Sequence, residues 1–208
     1  MTFVRIFLFL LLPLLSHITL AKPTTILVMG DSLSAGYGIK VEEGWVHLLQ
    51  QELAKKQQGD SINARVINAS VSGETTSGGL TRLPAVLSQH KPDIVIIELG
   101  GNDGLRGQQL NIMQENLQTM ISTSQTAGAK IILAGMQIPT NYGPRYTKQF
   151  REIYPRLAEK NKTALIPFFL EGIATHSNLI QQDGIHPTAA AQPLILKNVL
   201  PVLMPLIE

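Results

Sequence analysis

The 208-residue sequence contains no cysteine, which excludes disulfide bonds, thiol catalysis and cysteine-ligated metal sites. Charge is also scarce, since 15% of the residues are charged and the formal net charge is only +2. Because these charges form no basic cluster, nucleic acid is a poor candidate partner. The hydrophobic fraction of 44% is typical of a globular protein, and the length is sufficient for one well-packed domain.

The first 21 residues differ from the rest of the chain. Arg5 precedes the apolar run IFLFLLLPLLSHITLA, which ends at the small residue Ala21. The alternative to a signal peptide is an N-terminal membrane anchor, but the run is short and Pro13 interrupts it. We therefore expect a signal peptide over residues 1–21 that is cleaved near Ala21. The remaining chain, residues 22–208, would be one periplasmic or secreted domain without a stable membrane span.

Short apolar runs alternate with segments of helical periodicity after this leader. The runs are rich in Ile, Val and Leu without polar alternation, which is typical of parallel strands buried on both faces. We therefore predict an α/β fold in which helices cover both faces of a parallel sheet. The predicted strands are residues 24–30, 64–70, 93–100, 130–136 and 163–169. The predicted helices are residues 44–56, 79–89, 112–127 and 145–161, and a last helix from Pro187 towards Leu203 that is broken or kinked near Pro193 and Pro201.

The first three predicted strands are each followed by a glycine-rich polar turn. The turns contain GDS, SVSGETTSGG and GGNDG. In parallel α/β sheets the ligand site lies beyond the carboxyl ends of the strands. The three turns therefore predict a functional site at one edge of the sheet.

Ser32, in the first of these turns, is a candidate nucleophile. Taken alone, a serine in this position is more often a helix N-cap. The turn is not the G-x-S-x-G elbow of α/β-hydrolases, because Ser34 stands in place of the second glycine. It also lacks the glycine pattern of dinucleotide sites and the lysine of a P-loop. A nucleophilic serine would further require a base elsewhere in the chain.

His186 in the segment DGIHP is the candidate base among the five histidines. In such a tight turn the carboxylate of Asp183 can lie beside the imidazole, fix its tautomer and stabilise the imidazolium. The alternative is a polar turn in which Asp183 caps the last helix. No pair of histidines has a metal-binding spacing, so we predict no metal site.

Two residues in the other turns could stabilise an oxyanion. Gly73 can offer a backbone N–H without an obstructing side chain, and Asn102 can offer its side-chain amide. The alternatives are an ordinary turn glycine and an Asx-turn residue. Taken together, the turns supply a nucleophile, a base, an orienting carboxylate and two donors at one end of the sheet.

Four segments in this order resemble the sequence blocks of the SGNH (GDSL-type) hydrolases. They are GDSLS at residues 30–34, NASVSGETTSGG at 68–79, GGNDGLRG at 100–107 and DGIHP at 183–187. The similarity extends over essentially the whole chain after the leader, with bacterial periplasmic thioesterases and lysophospholipases as the most similar members. It implies a flavodoxin-like three-layer α/β/α fold with a five-stranded parallel sheet.

The resemblance also assigns roles to the residues of these blocks. It implies Ser32 as nucleophile with Asp183 and His186 completing the triad. It implies an oxyanion hole formed by the backbone N–H groups of Ser32 and Gly73 and the side chain of Asn102, and it requires no cofactor. Asp31 is expected to hold the turn and to transfer no proton.

The resemblance implies a substrate site beside the triad. Residues 103–108 would form a mobile loop at the acyl site, and residues 136–143 would contact the acyl chain. The candidate substrate-binding residues are Asp103, Leu105, Ile138 and Tyr142. The expected substrates are small-molecule acyl esters and thioesters, including lysophospholipids, cleaved by a monomer through an acyl-enzyme.

Two alternatives remain open at this stage. A carbohydrate or aryl-ester deacetylase would carry the same four blocks, although apolar residues at Ile138 and Leu105 favour longer acyl chains over acetyl. A flavodoxin-like protein that only binds an anion would need none of Asp183, His186 and Asn102. Retained ligand binding after substitution of Ser32 and His186, without turnover in the native chain, would identify that second alternative.

Overall fold

The computed structural model describes residues 22–57 and 62–207, and the predicted signal peptide lies outside these ranges. The strands are Thr24–Gly30 (β1), Ala64–Asn68 (β2), Ile94–Glu98 (β3), Lys130–Ala134 (β4) and Ala164–Ile166 (β5). The α-helices are Ser32–Ala35 (α1), Trp45–Gln57 (α2), Thr76–His90 (α3), Gly101–Leu105 (α4), Leu110–Thr126 (α5), Pro144–Asn161 (α6) and Gln192–Ile207 (α7). Short 3₁₀ turns occur between several of these elements.

The five strands form one parallel sheet in the order β2-β1-β3-β4-β5. The chain crosses from β1 to β2 in one direction and from β2 to β3, β4 and β5 in the other. Because crossovers between parallel strands are right-handed, the helix of the first crossover lies on the opposite face from the helices of the later ones. Accordingly α2 packs against α7, whereas α3, α5 and α6 pack in a row. The predicted flavodoxin-like three-layer architecture is confirmed, with its switch point between β1 and β3.

The two central strands are buried on both faces, as their aliphatic composition predicts. Residues 26–29 of β1 and residues 94–97 of β3 are at most 1% exposed. An uninterrupted aliphatic strand is stable only where helices cover both sides of it. The core therefore fixes the carboxyl ends of β1 and β3. The predicted site lies just beyond these two ends.

The observed bounds of several strands and helices differ from the predicted ones. Two strands end earlier than predicted, and one helix begins earlier. Strand β2 ends at Asn68, whose side chain accepts the N–H of Ser70 at 3.1 Å and so starts a turn. Strand β5 ends before Pro167, which has no N–H to donate to a ladder. Helix α3 begins at Thr76 rather than Gly79, because the hydroxyl of Thr75 caps it by accepting the N–H of Gly78 at 3.3 Å.

The sequence predicts a last helix that is broken or kinked near Pro193 and Pro201, and the structure shows no break within it. Helix α7 continues through Pro201 and Pro205, and both prolines lie on its exposed side. Water can satisfy the carbonyl groups that lose their partners there. Pro193 lies in the first turn of α7, where the N–H has no partner within the helix in any case.

The C-terminal helical segment is also long and apolar enough to cross a membrane by length and composition. The segment Ala189–Ile207 has a mean hydropathy of 1.5. In this fold one side of α7 faces the core, and its residues Ile195, Val199 and Leu203 are fully buried. The hydrophobic composition is thus partly explained by packing against the sheet and α2.

Candidate active site

Ser32 lies at the carboxyl end of β1, as the first residue of the short helix α1. The N-cap of α1 is Asp31, whose carboxylate accepts the N–H of Leu33 at 3.0 Å. The capping alternative for Ser32 is therefore not realised, and its hydroxyl is free for another contact. Gly30 is required here, because a Cβ at this position would lie 2.7 Å from Oε2 of Glu98.

His186 contacts both Ser32 and Asp183. Its Nε2 atom lies 2.8 Å from Oγ of Ser32, and its Nδ1 atom lies 2.6 Å from Oδ2 of Asp183. An ionised Asp183 carboxylate accepts hydrogen bonds and has no hydrogen to donate. The proton of the neutral imidazole ring of His186 therefore belongs on Nδ1. Nε2 is then left with a lone pair directed at the serine hydroxyl, which is the arrangement of a general base.

The turn around Asp183 keeps this carboxylate ionised. Its Oδ1 atom accepts the backbone N–H groups of Ile185 at 2.9 Å and of His186 at 3.0 Å. These backbone hydrogen bonds, followed by the side-chain bond to His186, lower the pKa of Asp183 to about 2. The alternative that Asp183 caps the last helix is wrong, because α7 begins only at Gln192.

Tyr37 is a site residue that the sequence analysis missed. Its ring packs against the His186 imidazole with centroids 4.5 Å apart. Gln181 joins the two segments, since its side-chain amide donates to the carbonyl of Tyr37 at 2.8 Å and its own N–H donates to the carbonyl of His186 at 2.7 Å. No local pattern in the sequence connects Tyr37 with a segment about 150 residues away.

The two proposed oxyanion donors lie in the segments that follow β2 and β3. Asn102, in α4, lines the same cavity as Ser32 and His186. Gly73 has a φ of 78°, and its carbonyl accepts the guanidinium of Arg106 at 3.1 Å. Within the described chain, the N–H of Gly73 donates to no recorded acceptor. It is therefore available to a ligand.

Two buried acids lie beneath the nucleophile. Asp31 is 2% exposed and Glu98 is 0% exposed. Burial raises the pKa of Asp31 to about 6. Burial and the neighbouring Asp31 raise the pKa of Glu98 well above its ordinary value. The sequence analysis missed Glu98, although a single acid at the end of the aliphatic strand IVIIE was a signal for it.

A cavity of about 520 Å³ opens in front of Ser32 and His186. Its size is in the range of small-molecule sites. Most of its side chains are apolar, which favours a hydrocarbon chain over a sugar. The apolar side chains of the lining include Leu105, Met136, Ile138, Phe168, Leu170 and Ile185.

Of the four predicted substrate-binding residues, two line this cavity and two do not. Leu105 and Ile138 are lining residues. Direct substrate contact by Asp103 is not supported, because this residue is 1% exposed and its carboxylate accepts the N–H and hydroxyl of Thr76 at 2.9 and 2.6 Å. Tyr142 lies outside the lining, and its hydroxyl donates to the Leu105 carbonyl at 2.7 Å. The contacts that the structure shows for both residues are with neighbouring protein groups.

Metal binding finds no support in the described ranges. No group of three or more His, Asp or Glu side chains in residues 22–57 and 62–207 is arranged to hold an ion.

Comparison with known proteins gives consistent results. Residues 28–193 match the GDSL-like lipase/acylhydrolase family. The chain is 51% identical to Esterase TesA of Pseudomonas aeruginosa over 90% of its own length and 91% of that protein. It is 42% identical to the thioesterase 1/protease 1/lysophospholipase L1 of Escherichia coli, over 90% of this chain and 87% of that protein. The solved structure of the psychrotrophic esterase EstA from Pseudoalteromonas sp., inhibited by monoethylphosphonate, superposes with a TM-score of 0.82 at 45% identity, covering 88% of this chain and 97% of the other.

Proposed function

The chain belongs to the GDSL-like lipase/acylhydrolase family, and from this premise we propose that it cleaves acyl esters and thioesters through a Ser32–His186–Asp183 triad. One observation carries the proposal. His186 bridges Ser32 and Asp183 with contacts of 2.8 and 2.6 Å at the wall of an apolar cavity. These are the contacts that nucleophilic catalysis by serine requires.

In the first half-reaction, Nε2 of His186 takes the hydroxyl proton while Oγ of Ser32 attacks the acyl carbonyl carbon. The carbonyl π electrons move onto oxygen, giving a tetrahedral oxyanion. The N–H groups of Ser32 and Gly73 and the amide of Asn102 stabilise this charge. Collapse of the intermediate expels the alcohol or thiol, which leaves with the proton from His186, and Ser32 is acylated.

In the second half-reaction, water takes the place of the leaving group. His186 accepts a proton from this water, whose oxygen attacks the acyl carbon of the ester on Ser32. Collapse of the second tetrahedral intermediate releases the carboxylic acid and returns the proton to Ser32. Throughout the cycle, Asp183 stays ionised and stabilises the imidazolium, in keeping with its lowered pKa.

The cavity favours a medium or long acyl chain over acetyl. Leu105 and Ile138 provide apolar walls next to the reacting centre. Small-molecule esters, thioesters and lysophospholipids each present a hydrocarbon chain that fits such walls. The relative named thioesterase 1/protease 1/lysophospholipase L1 supports this substrate class.

We further propose that the enzyme works outside the cytoplasm as a monomeric single domain spanning residues 22–208. The apolar segment after Arg5 and the small residue Ala21 support export and cleavage.

Hydrolysis of p-nitrophenyl esters from acetyl to dodecanoyl tests the substrate class. The native chain should give maximal kcat/KM at medium or long chains, and Ser32→Ala should lose the activity at every length. A serine-dependent maximum at acetyl that falls steeply with length would contradict the acyl-chain proposal and favour a deacetylase. The absence of turnover on every ester would contradict the hydrolase itself.

A further inference from the structure

The mechanism above leaves two buried acids, Asp31 and Glu98, without a role. Asp31 adjoins the nucleophile in sequence, and Glu98 ends the central strand β3. Buried carboxyl groups are costly unless they are paired or neutral. The contacts of each group therefore indicate what it does for the site.

The carboxylate of Asp31 holds the side chain of Asn102. Its Oδ2 atom accepts an N–H of the Asn102 amide at 3.0 Å, and its Oδ1 atom accepts the N–H of Leu33. Rotation of the Asn102 amide by 180° would place its carbonyl oxygen against the carboxylate and lose this bond. An ionised Asp31 thus selects one of the two amide orientations. In that orientation the second N–H of Asn102 is left for the cavity that it shares with Ser32.

Burial and the neighbouring Asp31 favour the neutral form of Glu98, although its Oε2 atom accepts two hydrogen bonds. Its Oε2 atom lies 2.6 Å from the hydroxyl of Ser34 and 3.4 Å from the backbone nitrogen of Asp31. Its Oε1 atom is fully buried without a hydrogen-bond partner in the described chain. None of the salt bridges among the described residues involves Glu98. A charge here would be unpaired, whereas a protonated Glu98 leaves Asp31 as the anion that holds Asn102.

We propose that Asp31 is a positioning residue for the reaction: its carboxylate fixes the Asn102 amide as an oxyanion donor, and protonation of Asp31 at acid pH releases that amide. This inference rests on the proposed function for its catalytic consequence. The hydrogen bond itself, however, can be measured without turnover. The raised pKa of Asp31, about 6, places the release in an accessible pH range.

Titratable groups from four other parts of the fold surround Asp31. Glu98 lies on β3, Asp103 on α4, Tyr154 on α6 and His186 in the loop before α7. The positive charge of His186 lowers the pKa of Asp31, and the negative charge of Asp103 raises it. His186 must itself be unprotonated to act as a base, so an activity profile alone would mix two protonations.

The test is a side-chain NMR titration of the Asn102 amide, in a chain that carries His186→Ala so that the imidazole does not contribute. The Asn102 signals, assigned by their loss in Asn102→Ala, should shift as Asp31 titrates, with a midpoint above that of the native chain because the favourable charge of His186 is absent. Asp31→Asn in the same background should abolish this titration. Glu98→Gln should retain it, since the Asp31–Asn102 bond remains. Asn102 signals that do not titrate, or that titrate equally with Asp31→Asn, would overturn the proposal.

Kinetics then connect the bond to catalysis. With otherwise native residues, Asp31→Asn should lower kcat for a p-nitrophenyl ester by about 10–100-fold, less than loss of a whole oxyanion donor. KM should change little, because the cavity is intact. An unchanged kcat in Asp31→Asn would overturn the positioning role. If the native chain shows no serine-dependent turnover, the proposed hydrolase fails instead, and the NMR titration still decides the Asp31–Asn102 contact.

Discussion

The Nε2 atom of His186 lies 2.8 Å from Oγ of Ser32, although 154 positions separate the two residues. Ser32 follows the central strand β1, and His186 lies in the loop before the last helix. Their contact joins the beginning and the end of the described chain across the carboxyl edge of the sheet. Folding of the whole sheet is therefore required before the site exists.

Substitution Ser32→Ala removes the hydroxyl group of the proposed nucleophile. We expect ester hydrolysis to fall to the background rate while the fold persists, because alanine fits the space and propagates α1. Turnover and circular dichroism of both chains measure the two effects. A folded Ser32→Ala chain with substantial turnover would exclude Ser32 as the nucleophile.

Substitution Asn102→Ala removes one oxyanion donor without touching the triad. The expected loss in kcat is about 10²–10³-fold, the usual cost of one such donor. Steady-state kinetics should place the loss in kcat rather than KM, since the donor acts on charge that develops in the transition state. A native kcat in this variant would remove Asn102 from the oxyanion hole.

Substitution Asp183→Asn tests the orienting acid. A loss of about 10²–10⁴-fold in kcat is expected, because the amide favours the wrong imidazole tautomer. In the native chain Asp183 has a pKa of about 2, below its ordinary value of 3.8. Its ionised form is therefore present from neutral pH down through pH 4, and is lost only as the pH falls through about 2. A native kcat in Asp183→Asn would contradict this assignment.

The loop that carries Leu105 is held from α6 and the turn before it. Tyr142 donates to the carbonyl of Leu105 at 2.7 Å, and Tyr146 donates to the carbonyl of Gln108 at 2.8 Å. Tyr142→Phe should raise KM for long-chain esters by a factor of about 2–10, the worth of one hydrogen bond, and leave acetyl esters unaffected. Tyr146→Phe is the matched control, since Gln108 does not line the cavity. Equal effects of both variants at every chain length would exclude a specific role for Tyr142.

Glu98→Gln is expected to change stability in a pH-dependent manner. The pKa of Glu98 is raised above its ordinary value of 4.5 in the folded chain. The unfolded chain therefore releases the Glu98 proton at lower pH than the folded chain does. As a result, the contribution of Glu98 to the free energy of unfolding declines as the pH rises above about 4.5. Glutamine keeps an acceptor for Ser34 and does not ionise.

Thermal unfolding of native and Glu98→Gln chains measures this effect. The Tm of the variant relative to the native chain should increase from pH 4 to pH 8. The matched control is Glu115→Gln, an exposed position on α5, which should show no such trend. A relative Tm that falls with pH would show that Glu98 is ionised in the folded protein.

Local sequence was sufficient to predict those elements whose bounds are set by the burial of their own side chains. Strand β1 has its predicted bounds, because an aliphatic run ends at a glycine that no other residue could replace beside Glu98. Helix α4 was not predicted, since GGNDG has the composition of a loop. Its helical form depends on contacts with other elements, such as the Asp103 carboxylate bound by Thr76.

The site was predicted to the extent that its residues lie in recognisable blocks. Ser32, Asp183 and His186 are brought together as expected, and Leu105 and Ile138 line the cavity. Sequence gave no signal for the ring of Tyr37 against His186 or for the burial of Asp103. Both features depend on a partner residue that is distant along the chain. A contact between such distant residues leaves no local pattern in the sequence.

The proposed mechanism requires that Ser32 becomes covalently acylated. Intact-mass spectrometry after incubation with a p-nitrophenyl phosphonate ester tests it directly, because the phosphonyl group remains on a nucleophilic serine. We expect one phosphonyl group per chain, located on Ser32 by fragmentation and absent in Ser32→Ala. An unmodified native chain, or a group that persists in Ser32→Ala, would contradict the account.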